Sequence, residues 1–327
     1  MPQDTIRSIK ELNIKLPLNP NNEQIDFDLY SFPPNGKLSP IESLGKYSLD
    51  GKKGEKIANQ DNMVIAAYDE SINKFSVLEG TAFMTSHSLI IQYQHNYLPA
   101  TLLTFYFYTR SKEYTRKYKL IKYSENPEKD SKMDYINDRT EFIISNVPPN
   151  SIAFIDGPLI GEQATAYTIK LNEKLLENNI IPIFFVKNTS SNLVTDNIDE
   201  LKNKFNSDMH WDNNFLKTGE RTNFFKYVDE YNPKNAKIFC YIKPFGVSPQ
   251  RIEFHVNTLE KYKNKITDIL DLIYYLLLLQ GDPKNPQVRT IAVAEKYART
   301  ILQLVNINEM MKETGLMPTI NQERFGW

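Results

Sequence analysis

Cysteine is nearly missing from this chain. Only Cys240 occurs, in the apolar run KIFCYIK, so neither an internal disulfide nor a cysteine-based zinc site can form. Its apolar setting points to a buried core thiol. Histidine is scarce too: His87, His95, His210 and His255 lie scattered, without metal-ligand spacing, and read as structural or exposed. Charge of one sign is not in surplus. A net charge of −1 and a pI near 6.5 give no global basic field that would demand nucleic acid, although a neutral protein can still hold a local basic groove. Long apolar runs are absent as well. The longest, Leu272–Leu279 (LIYYLLLL), is far too short to span a bilayer. The opening stretch MPQDTIRSIKELNIK carries no apolar signal region. The expectation is a cytoplasmic protein with no membrane partner. There is no Walker A loop, GxGxxG or GxSxG elbow, which argues against the chemistries those motifs carry.

What is present is ordinary globular material: 41% hydrophobic and 24% charged residues, with 18 Phe and 19 Tyr to fill a core. A length of 327 residues suits one large or two small domains. Residues 1 to about 60 are polar and rich in Pro, Asn and Lys, with loop signals in NPNNEQ and FPPNGKLSP, and read as an N-terminal extension. From Met63 the chain turns strand-like. MVIAAYDE, KFSVLEGTAFMTSHSLIIQYQ and ATLLTFYFYTRS predict antiparallel hairpins. Residues 124–138 (SENPEKDSKMDYIND) predict a charged, solvated link, and 138–144 the end of a helix or a short amphipathic segment. A strand at 152–155, an amphipathic helix over 162–178 and the apolar run IIPIFFVK at 180–187 form a βαβ unit. A helix is expected at 196–205, two strands at 235–245 and 249–256, and long helices at 259–279 and 291–311. The fold class is α/β: a ribonuclease-H-like mixed sheet with flanking helices, plus the N-terminal extension.

The chemistry centres on SIAFIDGPLIG, residues 151–161. A carboxylate at the tip of a buried strand, followed by Gly and Pro, is well placed for metal-dependent phosphoryl chemistry. Two-metal phosphodiester cleavage gathers carboxylates around ions roughly 3.5–4 Å apart, and hard oxygen ligands suit Mg2+ or Mn2+. Asp156 is the strongest candidate, because four apolar residues precede it. Glu79 in SVLEGTAF, Glu141 in DRTEFII and Asp208 in NSDMHW also border apolar stretches, and Asp69 in AAYDES competes with Glu79. Each of these is more often a solvated carboxylate. Lys187 ends a buried strand near the expected Asp156 edge and is a candidate phosphate contact; snorkelling to solvent is its plainer reading. Arg251 and Glu253 share one strand face and read as an ion pair, with Arg251 also a candidate substrate contact.

The order AFIDGPLIG, IPIFFVKNTSSNL, SDMHWDNNFLKTGERT, FCYIKPFGVSPQRIEF, AVAEKYAR resembles the NurA family of prokaryotic DNA-end-processing nucleases, over about residues 75–300. The resemblance implies a ribonuclease-H-like nuclease domain at 63–312, preceded by the extension at 1–62 and followed by a tail at 313–327. It implies a metal-dependent deoxyribonuclease using Mn2+ (or Mg2+), acting on DNA in end processing or defence. A homodimer and a HerA-like hexameric ATPase partner are also implied. Carried over by position, the family's first strand-Asp-Gly-Ser motif falls on VLEGT, so Glu79 replaces Asp. The intermediate acid falls on Glu141, and the second Asp-Gly is Asp156-Gly157. Glu79, Glu141 and Asp156 are then the metal ligands. Ala294-Glu295 stands where the family shows Ala-His, which makes Glu295 a fourth candidate catalytic residue. Because of Glu79 and Glu295, an alternative reading is a catalytically degenerate subunit that keeps the fold and serves the ATPase as a structural partner.

Overall fold

The computed structural model describes residues 36–60, 63–94, 96–117, 121–160, 165–187, 191–247 and 249–305. Within them a single mixed sheet of twelve strands runs in the order β1 (Gly36–Pro40), β10 (Phe225–Asp229), β11 (Ala236–Lys243), β12 (Gln250–His255), β8 (Ile181–Val186), β7 (Ile152–Asp156), β3 (Val64–Val77), β4 (Gly80–Tyr93), β5 (Asn96–Thr109) and β6 (Ile121–Tyr123). Two short strands, β2 (Lys46–Ser48) and β9 (Glu220–Thr222), extend it beside β11. The central strands β3, β7 and β8 are parallel; β12 joins β8 antiparallel, and β3, β4 and β5 form a meander.

Helices cover both faces of this sheet. On one side lie α3 (Pro127–Asn146), α4 (Thr165–Glu177) and α5 (Asp208–Phe215), packed on Ala66, Tyr68, Ala153, Ile155, Phe184, Phe239 and Tyr241. On the other lie α7 (Ile266–Gln280) and α8 (Arg289–Leu304), packed on Ile65, Ala67, Ile152, Phe154, Ile183, Phe185, Ile252 and Phe254. Successive residues of a strand point to opposite faces, and strands buried on both sides read as continuous apolar runs. That is why IAFI and IPIFFV show no polar alternation. The smaller helices are α1 (Gly51–Ala58), α2 (Lys112–Lys117) and α6 (Val256–Tyr262).

The βαβ unit, the long hairpins and the β11–β12 pair stand where the sequence pattern puts them. Three segments differ. The charged stretch 124–138 is not a loop: α3 begins at Pro127, with the Asn126 side chain accepting from the Lys129 amide. Proline at the first helical position lacks only an N–H that would be an orphan anyway. Residues 196–205 form a run of turns rather than a helix. The stretch 259–279 is divided between α6 and α7, with a turn at 263–265. Part of the segment read as an N-terminal extension is woven into the sheet, since β1 pairs with β10, β2 pairs with β9, and α1 packs on α7. The expected tail at 313–327 lies outside the described residues.

Candidate active site

The parallel pairing of β3 with β7 runs as far as Tyr68 opposite Ile155. The next residues are Asp69 and Asp156, so two carboxylates stand side by side on strands about 4.8 Å apart. Both belong to the α7/α8 face, because Ala67 and Phe154, two residues earlier, pack on that side. After Asp156 the backbone turns at Gly157, whose φ of 99° suits glycine, and the Gly157 amide bonds the Phe185 carbonyl of β8 at 2.8 Å. This holds the end of β7 against the end of β8.

Lys187 lies just past β8, two residues beyond Phe185 and so on the same face. Its Nζ is 2.8 Å from Asp156 Oδ2 and 3.6 Å from Glu295 Oε2. Glu295 is carried by α8, which packs along β3 and β4. Both of its oxygens are engaged: Arg299 lies 2.6 Å from Oε1, and Gln287 Nε2 donates to Oε2 at 3.1 Å. The side chains of Asp156, Lys187 and Glu295 are each 21% exposed, so a ligand from solvent can reach them. Asp69 is 6% exposed.

Lys187 therefore bridges Asp156 and Glu295, and the buried Asp69 carboxyl lies close enough to feel its charge. Burial, and then the charge of Asp156, push the Asp69 carboxyl well above the usual range, with Lys187 opposing the shift. Burial works against the Lys187 ammonium, yet Asp156, Asp69 and Glu295 outweigh it and raise its pKa. Glu295 is also buried enough to resist ionisation, but Lys187, Gln287 and Arg299 hold it below the ordinary glutamate value. The all-oxygen donor set fits a hard divalent ion. Mg2+-like ions keep several waters and take one or two carboxylates, which Asp69 and Asp156 could supply. Among the described residues no group of three or more His, Cys, Asp or Glu is already gathered to hold an ion; the lysine stands on Asp156 instead.

The structure thus brings together Asp156, Lys187, Glu295 and Asp69 from the residues singled out in sequence. It does not bring Glu79, which sits in the turn between β3 and β4. Ten residues separate Glu79 from Asp69, roughly 30 Å of strand at about 3.3 Å per residue. Glu141 is exposed on α3 and pairs with Lys170 of α4 at 3.6 Å.

Arg251 and Asp208 lie in a buried network on the opposite face of the sheet. Arg251 Nε is 2.8 Å from Glu253 Oε1, and Lys237 Nζ is 2.6 Å from the same oxygen. Asp208 accepts from the amides of Val194 and Thr195 and, at 2.9 Å, from the Tyr241 hydroxyl. Arg251 also donates to Ser191 at 3.0 Å. One contact links this network to the candidate site: the Leu159 amide donates to Glu253 Oε2 at 2.9 Å, so the turn that follows Asp156 is pinned from β12.

The α3 face of β3 carries a further polar group. Tyr135 donates to Glu70, and Tyr68 and His87 share a 2.7 Å hydrogen bond. Burial, then Arg139, depress His87 to about 4.

The chain matches the NurA domain family over residues 104–300. No curated protein matches it. Among solved structures it is similar to the NurA nuclease from Sulfolobus solfataricus, at 9% identity over 83% of this chain and 88% of that one, with a TM-score of 0.53. It is also similar to endonuclease V from Bacillus subtilis (8% identity, 78% and 91% of the two chains, TM-score 0.38) and to a NurA solved with manganese (8%, 78% and 95%, 0.38). The fold is a ribonuclease-H-like mixed sheet with flanking helices.

Proposed function

This chain belongs to the NurA family, and on that premise we propose that it is a nuclease that hydrolyses DNA phosphodiester bonds with a divalent ion, Mn2+ or Mg2+. The observation that carries this reading is the side-by-side placement of Asp69 and Asp156 where the parallel pairing of β3 with β7 ends. In the proposed mechanism these two carboxylates are the ion's protein ligands. The bound ion would supply positive charge to the scissile phosphate and lower the pKa of the attacking water. Lys187 neutralises charge on the phosphate from the flank. Asp69, buried and repelled by Asp156, is poised to gain most from a cation.

Family membership also supports a homodimer, a HerA-type ATPase partner, a role in DNA end processing or defence, and a cytoplasmic location as parts of this proposal. The test is direct. Purified protein, alone and with the ATPase, is incubated with end-labelled DNA in Mn2+, Mg2+ or chelator. Cleavage in Mn2+ that the chelator abolishes is the expected result; no cleavage under any condition overturns it.

A second reading, a non-catalytic subunit that serves the ATPase, is favoured by the position of Lys187 on Asp156 and by Glu295 standing where the family motif has His. It predicts ATPase binding without cleavage.

A further inference from the structure

Resting on the metal-dependent reading, we propose that Glu295 is a positioning residue: it receives Lys187 when a divalent ion takes Asp156, and does not itself ligate the ion. The geometry sets up this exchange. The Lys187 ammonium lies 2.8 Å from Asp156 and 3.6 Å from Glu295. A small rotation of a flexible lysine therefore passes it from one carboxylate to the other. A dication and an ammonium cannot share the one Asp156 oxygen that Lys187 now holds, because like charges at that distance repel strongly in a half-buried setting. Without a second acceptor, the displaced ammonium would be left partly buried and unpaired, which is costly.

Glu295 is built to be that acceptor. Arg299 holds Oε1, while Gln287 holds Oε2 on the side that faces Lys187. Moving Glu295 toward the ion would break both contacts. Moving Lys187 breaks neither. Glu295 therefore lowers the cost of metal binding at Asp156 without touching the metal, and leaves the lysine beside the site, where it meets phosphate.

The consequence is an affinity pattern that a metal ligand would not give. In Glu295→Gln, Lys187 has no anion to move to outside the ion's own two ligands and keeps competing for Asp156. Mn2+ binding, read by calorimetry on the full chain without DNA, should weaken about tenfold, in the range found when a residue that supports a ligand is lost. Glu295→Asp keeps the charge and should retain most of the affinity. Adding Lys187→Met to Glu295→Gln removes the competitor. The double variant should then bind Mn2+ as tightly as wild type or more tightly, a strongly non-additive pair. Metal-free melting curves establish that each variant is folded. If the double variant stays as weak as Glu295→Gln, Glu295 is a ligand and the proposal fails. It fails equally if Glu295→Gln binds as wild type does. If wild type itself binds no Mn2+, the metal reading falls, and the two failures are told apart.

Discussion

The Asp69 carboxylate stands beside that of Asp156 because β3 and β7 are paired in register up to the residue before each. Residues 69 and 156 are remote in sequence, and nothing in AAYDES itself announces that partner. VLEGT matched the strand-acid-glycine pattern better, so the local signal pointed to Glu79. It was misleading for a physical reason: β3 continues to Val77 before it turns, which carries Glu79 to the far end of the hairpin. Asp156 and Lys187 were legible, because each ends a continuous apolar run and such runs are buried parallel strands. His87 shows another residue-scale effect. Its ring is buried and its pKa depressed to about 4, against an ordinary value near 6.5. As pH falls, the unfolded chain takes up this proton first, so stability present above pH 6.5 is lost progressively down to pH 4. The shift corresponds to about 3 kcal/mol. Chemical denaturation followed from pH 7 to pH 4 should show this loss, and His87→Gln should flatten it.

Elements are legible in the sequence where one apolar period dominates and obscure where tertiary contacts decide. The charged opening of α3 looked like a loop because its polarity outweighs its capping signal, Asn126-Pro127. Residues 196–205 have apolar residues at helical spacing, yet the segment is a run of turns. The Val194 and Thr195 amides that lead into it are bound by Asp208, which comes from α5. Two substitutions probe how elements hold the site. Glu253→Ala leaves Lys237 and Arg251 buried without their shared carboxylate and frees the Leu159 amide. It should cost about 3–5 kcal/mol and reduce nuclease activity through a loosened Asp156 turn, measured by denaturant melts and DNA cleavage. Gly54 on α1 faces the Asp271 backbone carbonyl of α7, with no room for a Cβ. Gly54→Ala should cost about 1–3 kcal/mol by overpacking while leaving metal binding intact, because the groups it would meet, the Asp271 backbone and Tyr275, are not part of the candidate site.

At the scale of the molecule, one large sheet covered on both faces brings the ends of β7 and β8 together at one rim, level with Asp69 partway along β3. The α/β class and the βαβ unit at that rim were visible in the sequence. The parallel register that selects Asp69 was not, since pairing between distant strands is a property of the assembled sheet. The incorporation of residues 36–58 through β1, β2 and α1 was hidden for the same reason: these are short, polar segments whose partners, β10, β9 and α7, lie far along the chain. Asp69 and Asp156 together form the proposed centre. The most direct test compares Asp69→Asn with Glu79→Gln in Mn2+-dependent DNA hydrolysis, both folded by their melting curves. Asp69→Asn should lose about 100-fold or more, at or beyond the upper end of what loss of a ligand's supporting partner costs, and Glu79→Gln should cleave at near wild-type rates. Wild-type cleavage by Asp69→Asn together with a dead Glu79→Gln would contradict it.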